Sequence, residues 1–399
     1  MKNSELWANH HSEWRHPSQI ISQWKEADEI ETRLLEYKTQ GRFWETLEKL
    51  GVTLLIGREY EHLVLALSAE CEKPRITYLP LPHPSGIVVD RGKGRVHIAS
   101  TRNPNQIFTF GMVGLGDPRT DTKPVSKYFQ KSLIPLFSHF YPGSLYLHDL
   151  AMVGEKLYGN AVGHNAVVKL NENGTWEKAW WPRCVENGKN VRFDKNFIQL
   201  NSIAPGSSLK HSFFSASTDR MSSRRPGHLN FPVDKRGVIF SGATREPIAF
   251  GLTRPHSARI HDEQVWVANS GYGEIGRITK GKFQVVYRFE SWTRGLSFYK
   301  NFAIVGCSRV IPKFSQYAPG LDVHKSQCAI HLFDYTKGKI EGSLIWPNGN
   351  QIFAIDWLPL KGCNGFPFVF SQKRQTQSAS ELYKDLFYNY GDEQKKKGF

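Results

Sequence analysis

The chain has 399 residues and 40% apolar content, enough to bury a substantial core, and length alone does not divide it because all-β architectures often run long. A formal charge of +15 favours anionic partners, but the basic residues are dispersed, and neither Arg220-Met221-Ser222-Ser223-Arg224-Arg225 nor Lys395-Lys396-Lys397 adjoins a nucleic-acid motif, which sets RNA and DNA aside. No apolar run is long enough to span a bilayer, and Cys71, Cys184, Cys307, Cys328 and Cys363 form no CxxC pair; the expectation is a soluble, cytoplasmic protein with reduced thiols and no membrane partner.

Residues 1–50 read as a short helical extension. Apolar residues recur three and four apart in 18–25, in 30–37 and in Phe43-Trp44-Glu45-Thr46-Leu47-Glu48-Lys49-Leu50, which Gly51 stops. Their Trp and Leu stripe suits a seam against the rest of the chain, or against a second copy in an oligomer.

From residue 51 to 373 the pattern is β. Val52-Thr53-Leu54-Leu55-Ile56-Gly57 and Leu63-Val64-Leu65-Ala66-Leu67 form a hairpin, and Gly86-Ile87-Val88-Val89-Asp90 turns through Arg91-Gly92-Lys93-Gly94 into Val96-His97-Ile98. The same phrase returns at His148-Asp149-Leu150-Ala151, Leu200-Asn201-Ser202-Ile203, Ala258-Arg259-Ile260, Gly295-Leu296-Ser297-Phe298 and Phe353-Ala354-Ile355-Asp356. Intervals of roughly 40 to 60 residues predict an all-β, six-bladed β-propeller with these phrases as inner strands. Closure requires the strands of residues 52–70 to complete the last blade after residue 351. Two stretches, 118–146 and 187–196, read as long loops over one face. Residues 374–399 turn polar and read as a tail.

Polar residues at strand ends are the candidate site. His256, after Pro255, and His148 are candidate acid/base groups, with Asp149 as a tautomer-fixing neighbour or a turn cap. Asn160, Asn201 and Asn269 occupy positions where a β-branched residue would be the better strand former. Each suits substrate binding or, equally, a hydrogen-bonded clamp between blades. Arg294 is a candidate anion clamp, its alternative being a salt bridge to Asp356. A divalent metal ion held by Asp356 and Asn201 stays open, and metal binding by His10, His11 and His16 is disfavoured. Gly271-Tyr272-Gly273-Glu274-Ile275-Gly276 matches GxGxxG only as a string within β-turns, and no Walker loop, GxSxG or HExxH is present, so neither NAD nor ATP is expected.

Taken together and in this order, His148-Asp149-Leu150-Ala151, Asn160, Leu200-Asn201, Pro255-His256-Ser257, Asn269-Ser270-Gly271, Thr293-Arg294-Gly295-Leu296, Val305-Gly306-Cys307-Ser308 and Ile352-Phe353-Ala354-Ile355-Asp356 resemble a bacterial family of uncharacterised proteins known only as a domain of unknown function. The resemblance implies a propeller and the location of its site, and no established activity. This chain departs from the family pattern with Gln199 where His is usual and with Asp149 where Glu is common. More distantly the chain is similar to lactonase, strictosidine-synthase and lyase propellers, which bind substrate at the channel mouth, often with a metal ion. The reading is a propeller with a small polar or anionic metabolite at one mouth, as a metal-assisted lyase, hydrolase or cyclase or as a non-catalytic scaffold for a ligand, glycan or protein.

Overall fold

In a computed structural model of the protein, residues 31–71, 73–101, 105–112, 132–221 and 231–366 are described. Six antiparallel sheets stand in a ring; four add their strands in chain order from the channel outward, one begins with the last described strand of the chain and one gains the first described strand at its outer edge. The inner strands are Pro84–Asp90 (blade 2), Leu147–Val153 (blade 3), Leu200–Ala204 (blade 4), Pro255–His261 (blade 5), Trp292–Tyr299 (blade 6) and Ala354–Pro359 (blade 1). These are the six phrases seen in the sequence. Closure follows the expected route, since Ala354–Pro359 pairs with Val52–Arg58 from Gly57↔Ala354 to Val52↔Pro359.

Apolar side chains on both faces of the sheets explain why the inner half of each blade reads as near-continuous hydrophobic sequence. Val52–Arg58 is buried along its whole length, whereas the outermost strand of blade 5, Lys282–Arg288, is mostly open to solvent. The core lies between blades. Leu55, Val64 and Ala66 of blade 1 pack on Ile87, Val89 and Ile98 of blade 2, and Trp180 of blade 3 stacks on Phe214 of blade 4 at 3.9 Å between ring centroids.

The one α-helix among the described residues, Phe43–Leu50, ends at Gly51 in the left-handed conformation (φ 67°), as the sequence indicates. Its Phe43, Leu47 and Leu50 enter one cluster with Leu54 and Leu65 of blade 1 and Leu344 and Trp346 of blade 6, so the helix covers the closure seam. Gly342 permits this approach, because a Cβ there would lie 2.4 Å from the Phe43 backbone.

Two expectations change. Of the stretch 30–37, the described residues 31–37 hold a 3₁₀ turn, Thr32–Leu35, rather than an amphipathic helix, and Lys38–Gly41 is a strand. It pairs with Lys339–Trp346 as a fifth strand of blade 6, covering backbone that would otherwise be an open edge. Within 118–146, read as a loop, Leu133–Tyr141 forms the outer strand of blade 2 through a bulged register with Asn105–Met112, and bulging blurs the alternation that marks a strand. The segment 187–196 carries a small hairpin, Glu186–Asn187 with Asn190–Val191. The proposed helix at 18–25, the His10/His11/His16 group and the 374–399 tail lie outside the described residues.

Candidate functional site

All six inner strands run the same way through the ring, so their first residues gather at one mouth of the channel. Two backbone devices shape this mouth. The residue just before the inner strand is left-handed in four consecutive blades: His83 (φ 44°), Tyr146 (φ 51°), Gln199 (φ 47°) and Arg254 (φ 53°). Non-glycine residues adopt this conformation at a cost that the surroundings must override. For Arg254 they do so through Thr253, whose N–H donates to Asn269 Oδ1 at 2.6 Å and whose hydroxyl accepts from Lys235 N at 2.9 Å. In addition, the register slips near the start of the inner strand in blades 2, 3, 4, 5 and 6, at Pro84–Ile87, Leu147–Leu150, Leu200–Ser202, His256–Arg259 and Thr293–Leu296. Such bulges re-aim side chains.

His256 is 2% exposed. Its Nδ1 lies 2.7 Å from the Arg254 carbonyl oxygen and 3.1 Å from Ser270 Oγ, while the Ser270 hydroxyl donates to the Thr293 carbonyl at 2.6 Å. A carbonyl can only accept, so the ring proton sits on Nδ1 and Nε2 carries a lone pair. Nε2 is buried and has no hydrogen-bond partner. Burial, reinforced by the Arg294 and Arg254 charges and by His148, holds the His256 pKa well below the ordinary histidine value, so the ring is neutral at pH 7.

Two buried arginines flank it. Arg254 is held by Gln199 Oε1 and lies over the Tyr317 ring at 4.6 Å, with its Nε buried and unpartnered. The Arg294 guanidinium lies 3.5 Å from the centroid of Phe353, whose ring also meets the His148 ring edge-on at 5.3 Å. With the Gln351 amide turned so that both ends are satisfied, its oxygen accepts from Arg294 Nη1 at 2.7 Å and its nitrogen donates to Glu59 Oε2 at 3.1 Å. Burial lowers both arginine pKa values to about 10, and for Arg294 the Glu59 charge works in the opposite direction. Both remain cations at neutral pH.

Just below the mouth an ion pair ties three blades together. Arg259 of blade 5 reaches past blade 4 to Asp149 of blade 3, with Nη1 to Oδ2 at 2.9 Å and Nη2 to Oδ1 at 3.3 Å. Burial works against the Arg259 charge, and the Asp149 carboxylate more than reverses it. Asp149 also accepts from Ile203 N at 3.1 Å. It therefore serves as a clamp between blades, and its carboxylate is committed to Arg259 rather than to tautomer fixing at His148.

Of the residues named from sequence, His148, His256 and Arg294 come together here. Asn201 lies at the same level on blade 4, where its Nδ2 donates to the Pro255 carbonyl at 2.9 Å and to Ser217 Oγ at 3.2 Å, leaving Oδ1 buried and unpartnered. Asn269 ends the second strand of blade 5 with both amide ends used, on Thr253 N and on Glu274 Oε2 at 2.7 Å, so it positions Arg254 rather than contacting a ligand. Asn160 is fully buried on the second strand of blade 3, not on an inner strand, and both its amide atoms lack partners. Asp356 pairs with Arg91 at 2.9 Å and not with Arg294, and accepts from Val89 N and Trp357 N at 2.8 Å. The metal assignment to Asp356 and Asn201 does not fit these partners: the carboxylate is taken, the two residues belong to non-adjacent blades, and no group of three or more His, Cys, Asp or Glu that could hold a metal ion occurs among the described residues. The string at Gly271–Gly276 is a 3₁₀ turn, Ser270–Tyr272, running into the strand Glu274–Thr279. The sequence marks Gln199 only as a departure from the family pattern and gives no sign of Gln351, Glu59 or Trp292, whereas a charged residue directly before Pro255 is a readable sign of a constrained strand start at Arg254.

Fold and mouth together define the class: a six-bladed propeller closed by pairing its first full-length strand with its last, with a buried cluster of cationic and aromatic side chains where the inner strands begin. The chain belongs to the family described as a domain of unknown function (DUF4915), matched over residues 41–364. No curated protein sequence matches it. Among solved structures it is similar to a chain of the nidogen/laminin complex (TM-score 0.50, 10% identity, covering 78% of this chain and 100% of that one). It is also similar to virginiamycin B lyase from Staphylococcus aureus (TM-score 0.39, 12% identity, 68% and 96% covered). At such identities the likeness extends to the fold alone. Among the described residues no helix is long and apolar enough to cross a membrane, and the five cysteines form no disulfide.

Proposed function

We propose that the mouth binds a small anionic metabolite, with Arg254 and Arg294 holding its negative group, and that His256 acts on it as general base. The observation that carries this reading is the His256 Nε2 lone pair, buried and without a partner, on a ring whose other nitrogen is pinned to the Arg254 carbonyl. Leaving a buried acceptor unsatisfied costs about 1–3 kcal/mol, and two incompletely neutralised buried cations add to it. A bound anion offsets the buried charge, and an O–H or N–H carried by the same molecule can donate to Nε2. His148, at the same mouth, is the candidate acid, and the chemistry is acid–base catalysis of lyase, hydrolase or cyclase type. Five cysteines without disulfides suit a reducing cytoplasm.

Native mass spectrometry of the purified full chain, with His256→Gln and Arg294→Lys beside it, tests the proposal. A small anion should be retained by the native protein and lost by both variants while their melting temperatures stay near native. Melting several degrees earlier with binding unchanged per folded molecule would make these residues architectural and overturn it.

A further inference from the structure

The polar atoms left unmatched at the mouth restrict what can fill it. Five residues supply them from three consecutive inner-strand starts: Asn201 of blade 4, Arg254 and His256 of blade 5, Trp292 and Arg294 of blade 6. Each is at least nine-tenths buried. They are mutually close: Asn201 Nδ2 bonds the Pro255 carbonyl, between Arg254 and His256, and the His256 and Trp292 rings meet edge-on with centroids 6.2 Å apart. On the donor side, Arg254 Nε and Trp292 Nε1 have no partner, and Arg294 is met by the neutral amide of Gln351, with the Glu59 charge acting on it from beyond that amide. On the acceptor side, His256 Nε2 and Asn201 Oδ1 have none. Buried polar atoms without partners occur elsewhere in the molecule too, but these four come from three consecutive inner-strand starts beside two buried arginines, and that juxtaposition marks a place completed by something else.

Charge narrows the choice further. An anion answers the arginines, but the group that donates to His256 Nε2 stands within reach of Arg254 and Arg294, where an ammonium would be repelled. A neutral hydroxyl meets the requirement. Resting on the anion-site reading above, we infer that the ligand is a hydroxycarboxylate: its carboxylate lies between Arg254 and Arg294, one hydroxyl donates to His256 Nε2, and a second hydroxyl donates to Asn201 Oδ1.

Calorimetric titration of the full chain with glycerate, propionate, serine and glycerol separates these requirements. Glycerate should bind about tenfold or more tightly than the other three, since propionate lacks the hydroxyls, serine replaces one with an ammonium, and glycerol lacks the anion. In His256→Phe the ratio of glycerate to propionate affinity should fall toward one, a readout that does not depend on the folded fraction. Serine or propionate matching glycerate, or an unchanged ratio in His256→Phe, would overturn the hydroxycarboxylate inference while leaving the anion site standing. If none of the three carboxylates binds, or if Arg254→Gln and Arg294→Lys bind them as the native chain does, the anion-site reading falls with it.

Discussion

His148, Asn201 and His256 are each followed directly by a residue of the opposite kind. The Asp149 carboxylate accepts from Ile203 N of blade 4 at 3.1 Å, the Ser202 hydroxyl from Ala258 N of blade 5 at 2.8 Å, and the Ser257 hydroxyl from Gly295 N of blade 6 at 2.9 Å. This lower tier passes from blade to blade with its hydrogen bonds made. One residue earlier, the upper tier leaves His256 Nε2 and Asn201 Oδ1 unmatched beside two buried arginines. Both tiers are buried polar side chains at strand starts. What separates structure from site is whether the fold itself supplies the partner.

The sharpest way to break this comparison is Asp149→Ala. It strands the Arg259 guanidinium below the mouth, and removing one partner of a buried ion pair costs roughly 3–5 kcal/mol. Chemical denaturation should show that loss with ligand affinity per folded molecule unchanged; a cost under about 1 kcal/mol would mean the Arg259–Asp149 pair is not structural. Acid comes next. Burial lowers the His97 pKa from 6.5 to about 4, so the folded protein resists a proton that the unfolded chain accepts. Stability is therefore full above pH ~6.5 and declines as pH falls toward about 4, by up to about 3 kcal/mol at ~1.4 kcal/mol per pKa unit. His256 titrates in the same direction, so His256→Gln should flatten part of the decline in a pH series of denaturation midpoints. An identical slope would deny that the upper-tier ring is held neutral. The smallest effect belongs to Ser202→Ala, which frees one backbone N–H in the lower tier at about 1–2 kcal/mol, again without touching ligand affinity.

The fold was legible because a propeller repeats, and repetition survives irregular loops: each of the six phrases lies in or beside an inner strand, and the unpaired strands of residues 52–70 announced the closure. The site was legible only where a polar residue interrupts a β pattern, as at His148, His256 and Arg294. Arg254 and Gln199 sit one residue outside the strands, and their left-handed backbone is a product of tertiary hydrogen bonds that local propensity does not encode. The Asp149–Arg259 pair joins residues 110 apart. Asn269 and Asp356 were read as site residues because an amide or carboxylate at a strand end looks the same whether it meets a ligand or a backbone N–H. Lys38–Gly41 has no apolar residue at all, so nothing in it marked a strand; the edge of Lys339–Trp346 makes it one.

The pairing of Val52–Arg58 with Ala354–Pro359 also sets the order in which the molecule can be completed during synthesis. An apolar strand made early must wait for a partner made nearly 300 residues later, which at ~5–20 residues per second is roughly 15–60 seconds on the ribosome. For that time the inner edge of blade 1 is a sticky, unpaired template of the kind that recruits neighbouring chains. Non-local closure of this sort also makes for slow folding. Chaperone demand and expression yield should therefore depend on the last inner strand, even though it lies far from the mouth residues in sequence.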